Sequence, residues 1–304
     1  MLTTYPVREG FVAEIGDLDL SRPLAEATVA EIRAALSRYA VLIFPEQDLD
    51  EAQQLAFAAS LGPIEPPFGA KLGTHGRLAP TLVDVSNFSK DNSLWKAEDR
   101  LRLLREGDKL WHTDSSFNFL PAYASILHAK AIVPVGGLTE FADERAAYDD
   151  LSPAMKAKLD GLIAEHSWFN SRKRYGVEDF DDDFRADHPP VPQMLVRTLP
   201  ESGRKTLYLA LHIGRILGLP DDEAAALVDE LVAHATSPAY VYRHRWRVGD
   251  VVMWDNRCTM HHVTDYDDLR WPRDYKRATL SDVANTLIQE GVPIPDAYRE
   301  IAAA

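Results

Sequence analysis

Short apolar segments divided by turn residues recur along the chain after residue 80. Each such segment predicts a strand, and a strand cannot bury its apolar face without a partner. Many short strands therefore favour two sheets that pack face to face, as in a β-sandwich or a jelly roll. The segments that we predict as strands cover residues 40–44, 82–86, 123–133, 193–198, 206–211, 239–242, 250–254 and 277–282.

Apolar residues at helical spacing predict helices on the outside of this β core. Val29 and Leu36 share one helical face in the first third of the chain. Ser152 followed by Pro153 is typical of a helix start, because it combines a cap with a first-turn proline. We expect the polar stretch 177–192 to be a solvated surface loop. The predicted helices cover residues 29–39, 55–61 and 152–165, and a fourth begins at residues 221–222.

The composition is that of an ordinary globular protein with an acidic surface. Hydrophobic residues make up 46% and charged residues 26% of the 304 residues, and the formal net charge is −14. This charge disfavours nucleic acid or an anionic membrane as a partner. Cys258 is the single cysteine, which excludes an intramolecular disulfide and a cysteine-rich zinc site and fits a cytoplasmic location. Since no signal peptide, membrane-spanning run or flexible linker is evident, we expect one domain over residues 1–304.

The motif His112-Thr113-Asp114 carries the strongest chemical signal. Residues two apart on an extended strand point to the same face, so both side chains can reach one metal ion. A second histidine can come from residues 254–262, where His261 and His262 are adjacent. Two histidines and one carboxylate leave metal positions open for a chelating cosubstrate and O₂, which is typical of non-haem iron(II) sites. A His-x-Asp motif alone also occurs by chance, so the surrounding motifs decide its meaning.

Further motifs accompany this one in a defined order. They are IGDLDLSRPL at 15–24, LGPIE at 61–65, WHTD at 111–114, GGLT at 136–139, FADERAAY at 141–148, WRVGD at 246–250, WDNR at 254–257 and RAT at 277–279. With this set the chain resembles the taurine dioxygenase and 2,4-dichlorophenoxyacetate dioxygenase family of iron(II)/2-oxoglutarate enzymes. The resemblance covers nearly the whole chain, and residues 111–117, 202–205 and 242–246 are similar to the phenoxyacetate branch in detail.

The resemblance implies a mostly β fold with flanking helices and a double-stranded β-helix, or jelly-roll, core. It implies that His112, Asp114 and His261 bind iron(II). His262 is the alternative third ligand, because the loop that follows is one residue longer than in the phenoxyacetate branch. Adjacent strand residues point to opposite faces, so only one of the two histidines is expected to bind the metal.

The resemblance further assigns the cosubstrate and substrate contacts. Thr139 and Arg273 match the positions that hold the distal carboxylate of 2-oxoglutarate, to which a planar guanidinium is suited. Arg277 matches the position that binds the acid group of the substrate. Apart from the resemblance, Lys71 in a predicted lid loop and His212 after an apolar run are candidate substrate contacts, with a solvated position and a core position as their respective alternatives. If the longer loop shifts the two arginines, the residues that could take part instead are Asp268, Arg270 and Lys276.

The implied activity is a hydroxylation that uses iron(II), 2-oxoglutarate and O₂ and releases succinate and CO₂. The substrate is a small carboxylate, with an aryloxyacetate such as 2,4-dichlorophenoxyacetate favoured, and the products are then a phenol and glyoxylate. A sulfonate or another aryl carboxylate is the alternative substrate. Related halogenases lack the carboxylate ligand, so Asp114 favours hydroxylation. The alternatives from other classes are a metal-dependent hydrolase and a non-catalytic jelly-roll binding protein, and homo-oligomeric assembly is a family-level expectation.

Overall fold

The computed structural model of the protein describes residues 2–66 and 77–303. Lys71, a predicted substrate contact, therefore lies outside the described residues. The strands are β1 Thr3–Arg8, β2 Val12–Gly16, β3 Val41–Phe44, β4 Val83–Asp84, β5 Ala122–Ala131, β6 Thr139–Asp143, β7 Ile163–His166, β8 Val191–Met194, β9 Val196–Thr198, β10 Lys205–Leu207, β11 Ile213–Ile216, β12 Val241–His244, β13 Val251–Asp255, β14 Thr259–Val263 and β15 Asp274–Ser281.

These strands form two principal sheets and two small ones. The larger sheet has seven strands in the order β1-β2-β3-β13-β5-β15-β4, and the smaller principal sheet has the order β12-β6-β14. Strands β11-β7-β8 form a third sheet, and β9 pairs with β10. Within the larger sheet β2 and β3 are parallel, whereas β13 and β5 are antiparallel to their neighbours.

The larger sheet is buried on both faces, which explains why its central strands are almost continuously apolar. In β13, Val251 and Met253 face a core that includes Ile32 and Phe57 of the first two helices. The alternate residues of β13, Val252 and Trp254, face a second core on the other side of the sheet. Since Phe141 of β6 contributes to that second core, the smaller sheet packs over this face.

The helices surround the sheets. They are α1 Glu26–Tyr39, α2 Glu51–Leu61, α3 Arg100–Arg105, α4 Glu144–Asp149, α5 Pro153–Leu159, α6 Trp168–Lys173, α7 Asp182–Asp187, α8 Asp221–Ala235, α9 Thr286–Gln289 and α10 Arg299–Ala303. The start of α2 is fixed by a capping box, in which Asp50 and Gln53 each accept a hydrogen bond from the backbone of the other. No helix in the described ranges is long and apolar enough to cross a membrane.

Two predictions of local structure are wrong. The helix predicted over 152–165 ends at Leu159, because Gly161 adopts a positive φ of 74° and reverses the chain. Residues Ile163–His166 then form β7, which pairs with strands on both sides. The sequence pattern gave no sign of β7, because a short segment reads similarly as the end of a helix or as a strand.

The stretch 177–192 is also more than a solvated loop. It contains α7, whose first turn is capped by Asp181, and Phe184 on this helix is buried. The rings of Trp168, Phe169 and Phe180 pack around Phe184 with centroids 5.6–5.8 Å away. Burial of these rings outweighs the polar character of the acidic residues around them.

Gln193 on β8 ties the C-terminal segment to the turn that follows residue 115. Its Nε2 donates to the carbonyl of Ser116 at 3.2 Å and to that of Asn118 at 2.9 Å. Its Oε1 accepts from the Thr286 hydroxyl at 2.7 Å. Gln193 is fully buried, and so are its partners Ser116 and Thr286, so water cannot readily replace these hydrogen bonds.

We therefore expect Gln193→Leu to lower the free energy of unfolding by at least about 2 kcal/mol. Leucine fills a similar volume but cannot form hydrogen bonds, so several buried polar groups would be left unpaired. Urea unfolding followed by circular dichroism measures this change. Glu230→Leu, at an exposed position of α8, serves as the control for introducing a leucine. Equal unfolding midpoints for the two variants would contradict the role given to Gln193.

Candidate metal centre and active site

His112 and His261 are held side by side by backbone hydrogen bonds at the edge of the smaller sheet. The His112 N–H donates to the His261 carbonyl at 3.0 Å, and the His261 N–H donates to the His112 carbonyl at 2.8 Å. Since His261 belongs to β14, the segment of His112 continues the sheet beyond this strand. The two imidazole centroids are 4.2 Å apart as a result.

His262, the alternative ligand, points away from this pair. Its Nε2 lies 2.8 Å from a carboxylate oxygen of Glu140, and its Nδ1 lies 3.2 Å from the carbonyl of Lys109. Successive residues of a strand face opposite sides, so β14 presents His261 and not His262 to Asp114.

Asp114 completes the group two residues after His112. The Ser125 hydroxyl donates to Asp114 Oδ2 at 2.7 Å, and the Arg277 guanidinium donates to Asp114 Oδ1. Burial acts to raise the pKa of Asp114, but the Arg277 charge, the two histidines and Ser125 outweigh it and lower the pKa to about 2. The carboxylate is therefore ionised at neutral pH, and both of its oxygens are oriented.

The chemistry of this donor set fits a divalent metal. Ligand atoms of His112, Asp114 and His261 all lie within 4.8 Å of one another. His112 Nδ1 must donate to the Leu110 carbonyl at 2.7 Å, because a carbonyl only accepts, and this leaves the Nε2 lone pair for a metal. Burial lowers the pKa of His261 well below its ordinary value, so this ring is neutral and can bind a metal. Two imidazoles and one carboxylate suit iron(II).

Thr139 and Arg273 are connected through two aromatic rings. Trp246 Nε1 donates to the Thr139 hydroxyl at 2.9 Å, and the Trp246 ring centroid is 4.8 Å from that of Tyr275. The Arg273 guanidinium lies over the same Tyr275 ring, 3.9 Å from its centroid. The hydroxyl and the guanidinium thus belong to one neighbourhood beside β6 and β15.

Arg273 is a buried cation without a counter-ion in the part of the chain that the structure describes. The residue is 4% exposed, and its Nε has no hydrogen-bond partner there. A guanidinium nitrogen donates to the Val85 carbonyl at 3.4 Å, which is a weak contact. A buried charge is costly unless it is paired, so this arrangement is suited to binding an anionic ligand.

If the longer loop after His261 were shifted, Asp268, Arg270 and Lys276 could take the place of Arg273 and Arg277, but each of them has another contact. Asp268 pairs with Arg102 at 2.7 Å, and Lys276 pairs with Glu51 at 3.0 Å. Arg270 is exposed and lies over the neighbouring Trp271 ring.

A pocket opens at the metal group, and Arg277 and His212 both line it. His212 is buried, and its ring packs edge-on against Phe117 with centroids 4.7 Å apart. His212 is thus a pocket residue, whereas its position in the sequence was equally consistent with the core. Apolar side chains form much of the remaining wall, namely Leu82, Val83, Leu101, Leu104, Trp168 and Leu211.

Glu65 is a pocket residue that we did not assign from the sequence. The Ser115 hydroxyl donates to its carboxylate at 2.9 Å, and the Asn118 amide donates at 2.5 Å. Burial raises the pKa of Glu65 to about 7, against the effect of Ser115 and the Arg277 charge. Ser115 has a positive φ of 51°, so Glu65 helps to hold an unusual turn directly after Asp114. The motif at 61–65 was the signal in the sequence, since it ends at this residue.

Ser125 and Arg172 were also missed. Ser125 lies on β5 and orients Asp114, and Arg172 lies on α6 and lines the pocket. Neither residue stands at a spacing that marks it in the sequence, because each reaches the site through the packing of a distant element.

Comparison with known proteins agrees with this geometry. Residues 3–279 match the family described as "Taurine catabolism dioxygenase TauD, TfdA family". An alpha-ketoglutarate-dependent 2,4-dichlorophenoxyacetate dioxygenase of Cupriavidus pinatubonensis is 41% identical over 280 residues, which cover 92% of this chain and 97% of the relative. An (S)-phenoxypropionate/alpha-ketoglutarate-dioxygenase of Sphingobium herbicidovorans is 35% identical, and the match covers 84% of each chain.

A solved structure gives the same result. The crystal structure of AAD-2 in complex with Mn(II) and N-oxalylglycine superposes with a TM-score of 0.87 at 40% identity, covering 94% of this chain and 98% of that chain. The predicted family resemblance and the predicted mostly β, jelly-roll fold with flanking helices are confirmed. The chain belongs to the TauD/TfdA family of dioxygenases.

Proposed function

We propose that the protein is an iron(II)- and 2-oxoglutarate-dependent dioxygenase that hydroxylates a small aryl carboxylate, with an aryloxyacetate as the favoured substrate. The observation that carries this proposal is the combination of the His112, Asp114 and His261 group with Arg273, a buried cation without a described counter-ion. The relatives named for 2,4-dichlorophenoxyacetate and (S)-phenoxypropionate support the reaction class and the substrate class.

His112, Asp114 and His261 would hold the metal. Bound iron(II), together with 2-oxoglutarate and O₂, supplies the oxidising power for hydroxylation, with succinate and CO₂ as coproducts. The protein supplies geometry. Ser125 and Arg277 fix the two oxygens of Asp114, and the backbone pair of His112 and His261 fixes the two rings before any metal binds.

Arg273 and Thr139 would hold the distal carboxylate of 2-oxoglutarate. Two donors of a guanidinium match the two oxygens of a carboxylate, and the Thr139 hydroxyl can donate because Trp246 occupies it only as an acceptor. Burial strengthens this contact, since an anion bound there also removes the cost of the unpaired Arg273 charge.

Arg277 would bind the acid group of the substrate beside the metal, and His212 would contact the substrate in the same pocket. An acid held by Arg277 brings the adjacent carbon close to the metal group, because Arg277 also contacts Asp114. Hydroxylation of an aryloxyacetate at this carbon gives a hemiacetal, which collapses to a phenol and glyoxylate. Lys71, which the sequence also suggests as a substrate contact, stays a prediction.

A metal-dependent hydrolase explains this site less well. Hydrolysis needs a metal-activated water but gives no reason for a second buried cation beside Thr139. A non-catalytic binding protein gives no reason for a metal group that opens on a substrate-sized pocket. Three expectations remain predictions: one catalytic domain over residues 1–304, a cytoplasmic location and a homo-oligomeric state. Light scattering of the purified protein tests the oligomeric state.

We expect anaerobic addition of iron(II) and 2-oxoglutarate to give a weak visible absorption band that needs both components. His261→Ala should abolish this band and weaken metal binding by more than about 100-fold, since loss of a ligand exceeds the effect of losing a ligand's supporting contact. His262→Ala is the matched control and should retain the band, because His262 faces Glu140. Loss of the band in His262→Ala and its survival in His261→Ala would reverse the assignment.

We expect Arg273→Leu to raise the KM for 2-oxoglutarate by at least about tenfold, because charge-assisted hydrogen bonds contribute about 1.5–3 kcal/mol. Arg270→Leu should leave this KM unchanged, since Arg270 is exposed. Succinate release at varied 2-oxoglutarate concentrations measures both values. An equal effect of the two substitutions would move the cosubstrate site to the shifted loop register.

We expect aryloxyacetates to drive succinate release and to be cleaved to phenols and glyoxylate. A panel of aryloxyacetates, cinnamates and alkyl sulfonates, assayed for succinate and product by chromatography, identifies the substrate class. Turnover that needs a sulfonate would replace the favoured substrate, and turnover that persists without O₂ would replace the reaction class.

A further inference from the structure

Arg172 is a cation of the substrate pocket that has no role in the proposed reaction. It lies on α6 and lines the pocket together with Trp168 and Leu104. Its guanidinium carbon is 4.1 Å from the Trp168 ring centroid, which holds the planar group against the pocket wall. One of its terminal nitrogens donates to the Ser171 hydroxyl at 2.7 Å, and its buried Nε has no hydrogen-bond partner among the described residues.

No carboxylate lies within ion-pair distance of Arg172 in residues 2–66 and 77–303, although the charge of Asp108 acts on it from farther away. The other pocket arginines are paired there, Arg277 with Asp114 and Arg105 with Asp108 at 3.3 Å. Burial lowers the pKa of Arg172, because the charged guanidinium loses favourable hydration when it is removed from water. A half-buried guanidinium held in place with unused donors is suited to a ligand that brings an acceptor.

Arg172 and Arg277 reach the pocket from different elements of the fold. Residues at the start of α6 bond to His212, since the Ser167 N–H donates to the His212 carbonyl at 2.9 Å and the Asn170 amide donates at 3.2 Å. Arg172 therefore belongs to the pocket side formed by His212 and Trp168. Arg277 comes from β15 in the larger sheet and lies against the metal carboxylate.

We propose that Arg172 determines substrate specificity by binding a second anionic or strongly accepting group, at the end of the substrate remote from the carboxylate held by Arg277. The preferred substrates are then aryl carboxylates whose ring carries a second acid group or a comparable oxygen acceptor. This inference rests on the proposed function, because it takes Arg277 as the site of the first carboxylate.

Two ligands of similar shape test the proposal, 4-carboxyphenoxyacetate and 4-isopropylphenoxyacetate. Their dissociation constants are measured by titration calorimetry on the anaerobic iron(II)/2-oxoglutarate enzyme, so that binding is read without turnover. In the wild type we expect the carboxylated ligand to bind more tightly. In Arg172→Leu this preference should fall by at least about tenfold, as expected for loss of a charge-assisted contact.

Two further variants separate specificity from folding. Arg174→Leu removes an exposed arginine of the same segment and should keep the wild-type preference. Arg172→Lys keeps the charge without the planar guanidinium and should therefore retain part of the preference. If Arg172→Leu does not fold, Arg172→Lys replaces it in the comparison. In turnover the change should lie in KM for the carboxylated ligand and not in kcat.

The iron(II)/2-oxoglutarate absorption band distinguishes failure of this inference from failure of the proposed function. If the band forms but the wild type shows no preference for the carboxylated ligand, or Arg172→Leu keeps that preference, Arg172 only packs against Trp168 and the inference is overturned. If the wild type gives no band, the proposed function fails, and the inference that depends on it fails with it.

Discussion

The reciprocal backbone hydrogen bonds between His112 and His261 are the constraint on which the active site depends. They involve no side chain, so they set the distance between the two rings before a metal binds. The same strand register also positions Thr139, the proposed cosubstrate contact, because β14 pairs with β6. In this pair His261 lies opposite Phe141 and Val263 lies opposite Thr139. A shift of β14 by one residue would turn His262 toward Asp114 and displace the neighbour of Thr139 at the same time.

Guanidinium groups stand beside the carboxylates of the site, although the chain as a whole is acidic. The protein carries a formal charge of −14, yet guanidinium groups line or adjoin the site. Arg277 is neutralised by Asp114, whereas Arg273 has no described carboxylate partner. This difference fits two kinds of contact. Arg277 would share its donors between Asp114 and a substrate acid, while Arg273 would gain a charged partner only when an anionic ligand binds.

Local alternation predicted the sheet strands and the shared face of His112 and Asp114, whereas His261 was assigned from the family resemblance. His112 and Asp114 are two residues apart, and the central strands are apolar runs bounded by turns. Strand β7 was missed because its four residues have the pattern of a helix end as well as that of a strand. Glu65 and Arg172 could not be assigned a role either, since each depends on where a helix or loop packs against the site. The role of Arg273 came from family resemblance, and its lack of a described counter-ion became visible only in three dimensions.

The family match ends at residue 279, but the support of the active-site turn does not. Thr286 bonds to Gln193, and Gln193 in turn holds the carbonyls of Ser116 and Asn118, close behind the metal carboxylate. A chimaera joined at the end of the matched segment would therefore combine the metal site of one protein with the supporting C-terminal residues of another. Crossover points chosen for recombination or directed evolution are better placed beyond Gln289, so that the turn and the residues that support it are inherited together.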